Sequence, residues 1–346
     1  LGWIHGPRPT LDEVRQLLAA GDTETAVVAL KSTLQDDPQH ADARTLLGQA
    51  LLGRDDHAGA ELELRRALDA GAPHDQVLPL LAEALMGQGK ASQVPSLLAG
   101  ARGRSAASSA DLLAALAEAR LRLGETDAAM TSAREALQAD PSNVQARVVG
   151  ARMLLAGPKP GEAAPLVDKL LADRPADWRV WLLRGDQLQR MNGLDEAAAK
   201  AYAKAAELRP TLVAAHGAVI LRALAQGKTG PAREQWQAMK KAAPQHPQTL
   251  YHEALLTLRE GKLVRANEAM QLLLRAQPDN FRFLLVAGEV KLRQNAFAQA
   301  ETHLARALTL QPQDKVPRRL LAQAQMRAGQ FERASATLKP LLAGAS

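Results

Sequence analysis

Five arginines, Arg122, Arg190, Arg259, Arg293 and Arg327, stand at one register of a repeating pattern. A guanidinium offers a rigid fork of donors that grips a carboxylate bidentately, so a row of them suits acidic or hydrogen-bonding partners. Glu118, Asp186 and Glu289 stand four residues before Arg122, Arg190 and Arg293. That spacing also permits simple intrahelical ion pairs, worth about 0.2–0.5 kcal/mol each, and both readings are open for these three pairs. Arg259 and Arg327 have no acid at this spacing and are the clearer contacts for a partner. Tyr251 and Leu285 add apolar area to the same face, as a peptide groove requires. Trp178, Trp181 and Trp236 fall in apolar helical patterns and are expected in the core.

Other chemistry is not met. The eight histidines, His5, His40, His57, His74, His216, His246, His252 and His303, share no metal-ligand spacing such as HExxH. Most fall where turns are expected, so solvated positions are anticipated. Gln226–Gly230 reads QGKTG, like the end of a phosphate loop, but Arg222 stands where that loop needs its first glycine. Gly-Lys also recurs at Gly89–Lys90 and Gly261–Lys262, as part of a repeated turn. No GxSxG elbow, GxGxxG or paired-carboxylate cleft appears. The chain has no cysteine, which excludes disulfides, zinc–thiolate sites and thiol nucleophiles. A binding protein without catalytic residues, metal or cofactor is expected.

Helices must position these side chains, and the helices repeat. The small residue that opens the packed face of a second helix recurs at Ala26, Ala60, Val94, Ala129, Ala163, Ala198, Ala232, Ala266, Ala300 and Ala334, spaced by 34 or 35 residues. Prolines at Pro38, Pro73, Pro141, Pro175, Pro210, Pro244, Pro278 and Pro312 separate one pair from the next, where a missing N–H is tolerated. Gly21, Gly89, Gly124, Gly193, Gly227, Gly261, Asn295 and Gly329 supply the left-handed turn within a pair. Gly48, Ala82, Ala117, Ala151, Gly185, Ala254, Gly288 and Ala322 let the two helices cross closely. The third unit lacks its proline and carries ARGRSAASSAD instead.

Ten such units match the tetratricopeptide length. The pattern predicts an all-α, right-handed superhelix of about ten helix-turn-helix pairs, A then B, with helices of about 12–15 residues and a concave groove lined by the A helices. The expected array fills 10–346, in repeats at about 10–38, 39–72, 73–106, 107–140, 141–174, 175–209, 210–243, 244–277, 278–311 and 312–346. Residues 1–9 are read as an extension in which Trp3 and Ile4 cap the first pair or belong to a preceding segment. The last unit is expected to end near Pro340.

Composition agrees. The 346 residues are 47% hydrophobic but only 3% aromatic, with Ala and Leu dominant, which favours helix. The net charge of +6 is spread among alternating signs, without the basic block of a nucleic-acid arm, so no nucleic acid is expected. No apolar run reaches the roughly 18 residues of a membrane span. The start at Leu1, with no Met or signal pattern, suggests a processed product or excised piece.

From Leu11 to Leu98 the sequence is narrower than generic repeats. ALKSTLQDDP at Ala29–Pro38, ADARTLLG at Ala41–Gly48, AELELRRALDAGA at Ala60–Ala72 and VLPLLAEALMGQGK at Val77–Lys90 carry the likeness. This stretch resembles the first repeats of the tetratricopeptide-repeat lipoprotein family of bacterial exosortase (PEP-CTERM) exopolysaccharide systems; beyond Gly100 the chain resembles repeats in general. The resemblance implies an exported, lipid-anchored envelope protein of the periplasm or cell envelope, with the cytoplasm as alternative. It implies partners in polysaccharide export or surface-protein assembly. The lipobox cysteine is missing, so the membrane anchor is implied outside this sequence. Two other readings stay open: a repeat protein that self-associates end to end into oligomers or filaments, and a regulatory domain excised from an enzyme such as a glycosyltransferase.

Overall fold

The computed structural model describes residues 9–343, and every regular element among them is helical. Trp3, Ile4 and His5 lie outside the described residues. Two compact units divide the chain, one up to Met191 and one from Asn192. In the first, A helices α1 (Leu11–Ala19), α3 (Ala41–Gly53), α5 (His74–Gly87), α7 (Ala106–Arg122), α9 (Val144–Ala156) and α11 (Trp178–Asn192) alternate with B helices α2 (Thr23–Asp36), α4 (His57–Asp69), α6 (Val94–Leu98), α8 (Thr126–Ala139) and α10 (Ala164–Asp173). The second holds α12 (Glu196–Leu208), α13 (Val213–Ala225), α14 (Thr229–Ala242), α15 (Pro247–Arg259), α16 (Leu263–Ala276), α17 (Phe281–Arg293), α18 (Phe297–Leu310), α19 (Lys315–Arg327) and α20 (Phe331–Ala343).

All ten anchor residues are buried, from Ala26 to Ala334. The expected turn residues take positive φ, as at Gly261 (75°) and Asn295 (59°), and Asp55 (56°) does the same work in the second pair. Side chains then close helix starts. Asn280 Oδ1 accepts from the Arg282 and Phe283 N–H groups of α17, and Asp56 and Asp195 cap α4 and α12.

Two B helices and one helix end depart from expectation. In the third pair the B half is a 3₁₀ turn (Ala91–Gln93) followed by α6, only 5 residues long. The segment after it is tied down by Arg104, whose backbone N–H and Nε donate to Asp75 at 2.8 and 2.9 Å. These bonds, the backbone one above all, hold the Asp75 carboxyl below the usual carboxylate range against its burial. The fifth pair also enters its B helix through a 3₁₀ turn, Pro160–Ala163, because Pro160 and Pro165 remove donors from its first turns. Pro340 lies inside α20, which runs on to Ala343, so it does not end the last helix.

At two A–B crossings a leucine of the B helix fills the space that a glycine of the A helix leaves open. A Cβ placed on Gly48 would lie 2.5 Å from Leu64 Cγ, and one on Gly288 would lie 2.5 Å from Leu304 Cγ. Both leucines are fully buried. Elsewhere the same two registers carry Ala117 with Ala133, Ala151 with Val167, Ala254 with Met270 and Ile220 with Trp236, each couple sharing one apolar cluster. Each crossing is filled by its own combination of side chains, from Ala with Ala to Ile with Trp, and where the A helix carries Gly the facing Leu fills the space. Gly288→Ala should therefore lower stability by about 1–3 kcal/mol in urea unfolding. Adding Leu304→Ala should cost less than the two single changes summed; strict additivity would refute the direct contact.

Candidate interaction surface

The arginine register falls at the C-terminal ends of A helices, and the two units use it differently. In the first, Glu118 on α7 is 5% exposed. It accepts from Arg122 Nε of its own helix at 3.0 Å and from Arg152 Nη1 of α9 at 2.9 and 3.1 Å. Gln145 adds a weaker contact at 3.4 Å. A buried carboxylate is tolerated only when its lone pairs are filled, and two guanidinium groups do this here. The Glu118–Arg122 pair is present, but Arg152 makes it an inter-repeat tie. Arg152 was not singled out in the sequence because it sits at the register of Glu118 and Asp186, 34 residues from each, where acids were sought.

Between Arg122 and Arg190 the arginine register lapses. Ala156 stands 34 residues after Arg122 and 34 before Arg190. Around it lies an open recess of about 440 Å³ lined by Arg152, Leu155, Ala156, Asp186 and Arg190. Asp186 and Arg190 thus share one rim, over an apolar floor.

In the second unit Glu289 and Arg293 form no ion pair among the described residues. Arg293 Nη1 instead donates to the Leu258 carbonyl at 2.8 Å, in the last turn of α15. Arg122 does likewise with the Met86 carbonyl of α5, at 3.3 Å. The last carbonyls of a helix lack intrahelical donors and carry its negative dipole end, so a cation reaching them competes well with a surface carboxylate. Arg327 is not free either, donating to Asn295 Oδ1 at 2.7 Å and lying 5.0 Å from the Phe297 ring centroid. Arg259 differs: it is exposed, and its guanidinium makes no hydrogen bond or ion pair among the described residues. Tyr251, on the same helix, is half-buried, 5.7 Å from the Phe283 ring, and burial raises its phenol pKa. Leu285 is half-buried and packs towards Leu292, Ala300 and Leu304.

The tryptophans divide. Trp236 is buried with its indole N–H on the Thr249 carbonyl, whereas Trp178 and Trp181 are half-buried. Two histidines correct the solvated expectation, since His216 and His252 lie buried within α13 and α15. The cause is register: both rings fall on faces that pack against other helices. Gly227 and Lys228 form the turn into α14, as expected of repeat structure. Among the described residues no group of three or more His, Asp or Glu side chains could hold a metal ion.

Arg152→Ala should destabilise the first unit by about 1–3 kcal/mol, because Glu118 stays buried with fewer donors. Arg259→Ala should change stability by less than about 0.5 kcal/mol. Denaturant unfolding of both variants checks this; equal losses would contradict the assignment.

Three models, each described as a tetratricopeptide repeat, match the chain: one at residues 17–84 and 291–345, another at 110–153, and a third at 150–212 and 251–315. No curated protein matches it in sequence. Solved structures share its fold at low identity. The human IFIT1 dimer with PPP-AAAA aligns at TM-score 0.52 and 16% identity, over 83% of this chain and 72% of that one. Pseudomonas aeruginosa PilF aligns at 0.51 and 21%, over 65% and 96%. PilW, described as a type IV pilus biogenesis factor, aligns at 0.51 and 21%, over 61% and 98%. The anchors buried in every pair, the left-handed turns and close crossings of most pairs, and repeat models matching most of its length show that the chain belongs to the tetratricopeptide-repeat proteins.

Proposed function

We propose that this chain is an interaction scaffold whose A-helix faces hold extended segments of partner proteins, the second unit favouring acidic ones. One observation carries the reading. Within a register where Arg293 and Arg327 are engaged by their own chain, Arg259 is exposed with its guanidinium unused. Tyr251 stands on the same helix and Arg282 carries a charge close to it. An extended peptide with carboxylates would meet cation, phenol ring and apolar area together, the combination a groove needs for affinity and selection. The neutralised charges of the first unit suit hydrogen bonding to a less charged segment, with an apolar side chain in the recess at Ala156.

The proposed setting is the bacterial cell envelope, in exopolysaccharide export or surface-protein assembly. Support comes from the N-terminal resemblance at Leu11–Leu98 and from a parallel: PilW, a type IV pilus biogenesis factor, has a similar fold.

Fluorescence anisotropy with extended acidic peptides and their amide-substituted analogues tests the chemistry. Acidic peptides should bind more tightly, and Arg259→Ala should weaken them about tenfold to a hundredfold, the loss of a charge-assisted bond of about 1.5–3 kcal/mol. Equal binding of acidic and neutral peptides, or indifference to Arg259→Ala, would exclude the reading.

A further inference from the structure

The two buried histidines of the second unit differ in what a proton would do to them. His216 is 3% exposed; its Nε2–H donates to the Pro210 carbonyl at 2.7 Å and its Nδ1 meets the side-chain amide of Gln235 on α14. If Nδ1 were protonated, a half-turn of that amide would offer its oxygen instead of its nitrogen. His252 has no such alternative. It is 4% exposed, and Nδ1–H donates to the Gln248 carbonyl one turn earlier at 2.7 Å. The bare lone pair is therefore on Nε2, which is buried without a hydrogen-bond partner.

That edge of the ring sits against α13. A Cβ on Gly217 would lie 2.8 Å from His252 Cε1 and 2.9 Å from Nε2, so the imidazole occupies the place of a side chain at 217. Beside it Tyr251 stands edge-on, with ring centroids 5.4 Å apart. The surrounding charges give a proton no help. On α15 itself, Glu253 is engaged by Arg265 of α16 at 2.9 Å. From α13 the nearby titratable group is His216; from α14, Arg233 is paired with Glu260. From α17 comes Arg282, a cation. An imidazolium here would be a buried charge whose Nε2–H, beside Gly217, has no acceptor, a costly way to hold a proton.

We propose that His252 is an acid-sensitive latch: one proton taken from solvent at Nε2 forces the ring off Gly217, parts α13 from α15 and displaces Tyr251 from the partner-binding face. The effect on the partner rests on the function proposed above; the parting of the helices does not. The sign follows from burial, which lowers the His252 pKa against the opposing Gln248 bond, with Arg282 lowering it further. A group whose pKa is depressed in the closed stack binds protons better once the stack opens. The closed form is therefore favoured above the ordinary histidine value of about 6.5 and loses stability as pH falls through it.

Hydrogen exchange on the intact chain at about pH 7.5 and about pH 5.5, corrected for intrinsic rates, reads the latch directly. Protection of α13 and α15 should fall on the order of tenfold more than that of α18 and α19. His252→Gln should abolish the difference and His216→Gln should leave it. NMR titration of the His252 ring in the unmodified chain serves if His252→Gln does not fold, and should give a pKa below the ordinary value. In parallel, acidic-peptide affinity should weaken about fivefold or more at the lower pH, and not in His252→Gln. Protection that does not respond to pH, or a ring that titrates at the ordinary value, overturns the latch. Loss of protection without any peptide binding at either pH supports the latch and removes the partner reading.

Discussion

The distance between the two helices of each pair governs everything else. It is set at one crossing, where the side chains of the two helices meet: Gly288 leaves room for Leu304, whereas Ile220 stands in one cluster with Trp236. Interiors packed to crystal-like density do not absorb an extra methylene without displacement. A change at one crossing therefore tilts the A helix and carries with it the arginine at its C-terminal end. The apolar interior and the polar face are mechanically one object.

Charge placement adds a second constraint, which the two units meet differently. A carboxylate as buried as Glu118 cannot go unpaired, so Arg122 and Arg152 are committed to it and their capacity for outside ligands shrinks. In the second unit no such carboxylate claims the register. Arg293 and Arg327 turn to the neighbouring pair, and Arg259 is left with its donors to spare. The two faces thus differ in which arginines are already occupied, not only in how many are present, and the proposed preference for acidic partners rests on that difference.

Much of the fold was legible because it is periodic. Small anchors, left-handed turns and prolines each have a single physical reason to recur, and their coincidence every 34 residues leaves few alternatives. The shortened α6 was foreshadowed by its missing proline, although the tether from Arg104 to Asp75 joins residues 29 apart in sequence and left no local sign. The candidate surface was less legible. An i, i+4 acid–base spacing says two side chains are able to meet, but not whether a better acceptor waits in the next pair, as the Leu258 carbonyl does for Arg293. Burial of His252 escaped for a similar reason, since its cause lies in another repeat. The signal was Gly217, a residue costly inside a helix unless something must approach it closely.

The ties from Arg122 and Arg293 end on main-chain oxygens of the preceding pair. A main-chain oxygen is supplied by every residue type, so the tie asks nothing of the amino acid it lands on. Whole pairs can then be copied, deleted or exchanged as blocks without breaking the joint behind them. Glu118 and Arg152 form the opposite kind of joint, matched side chain to side chain, and blocks divided there would lose their fit.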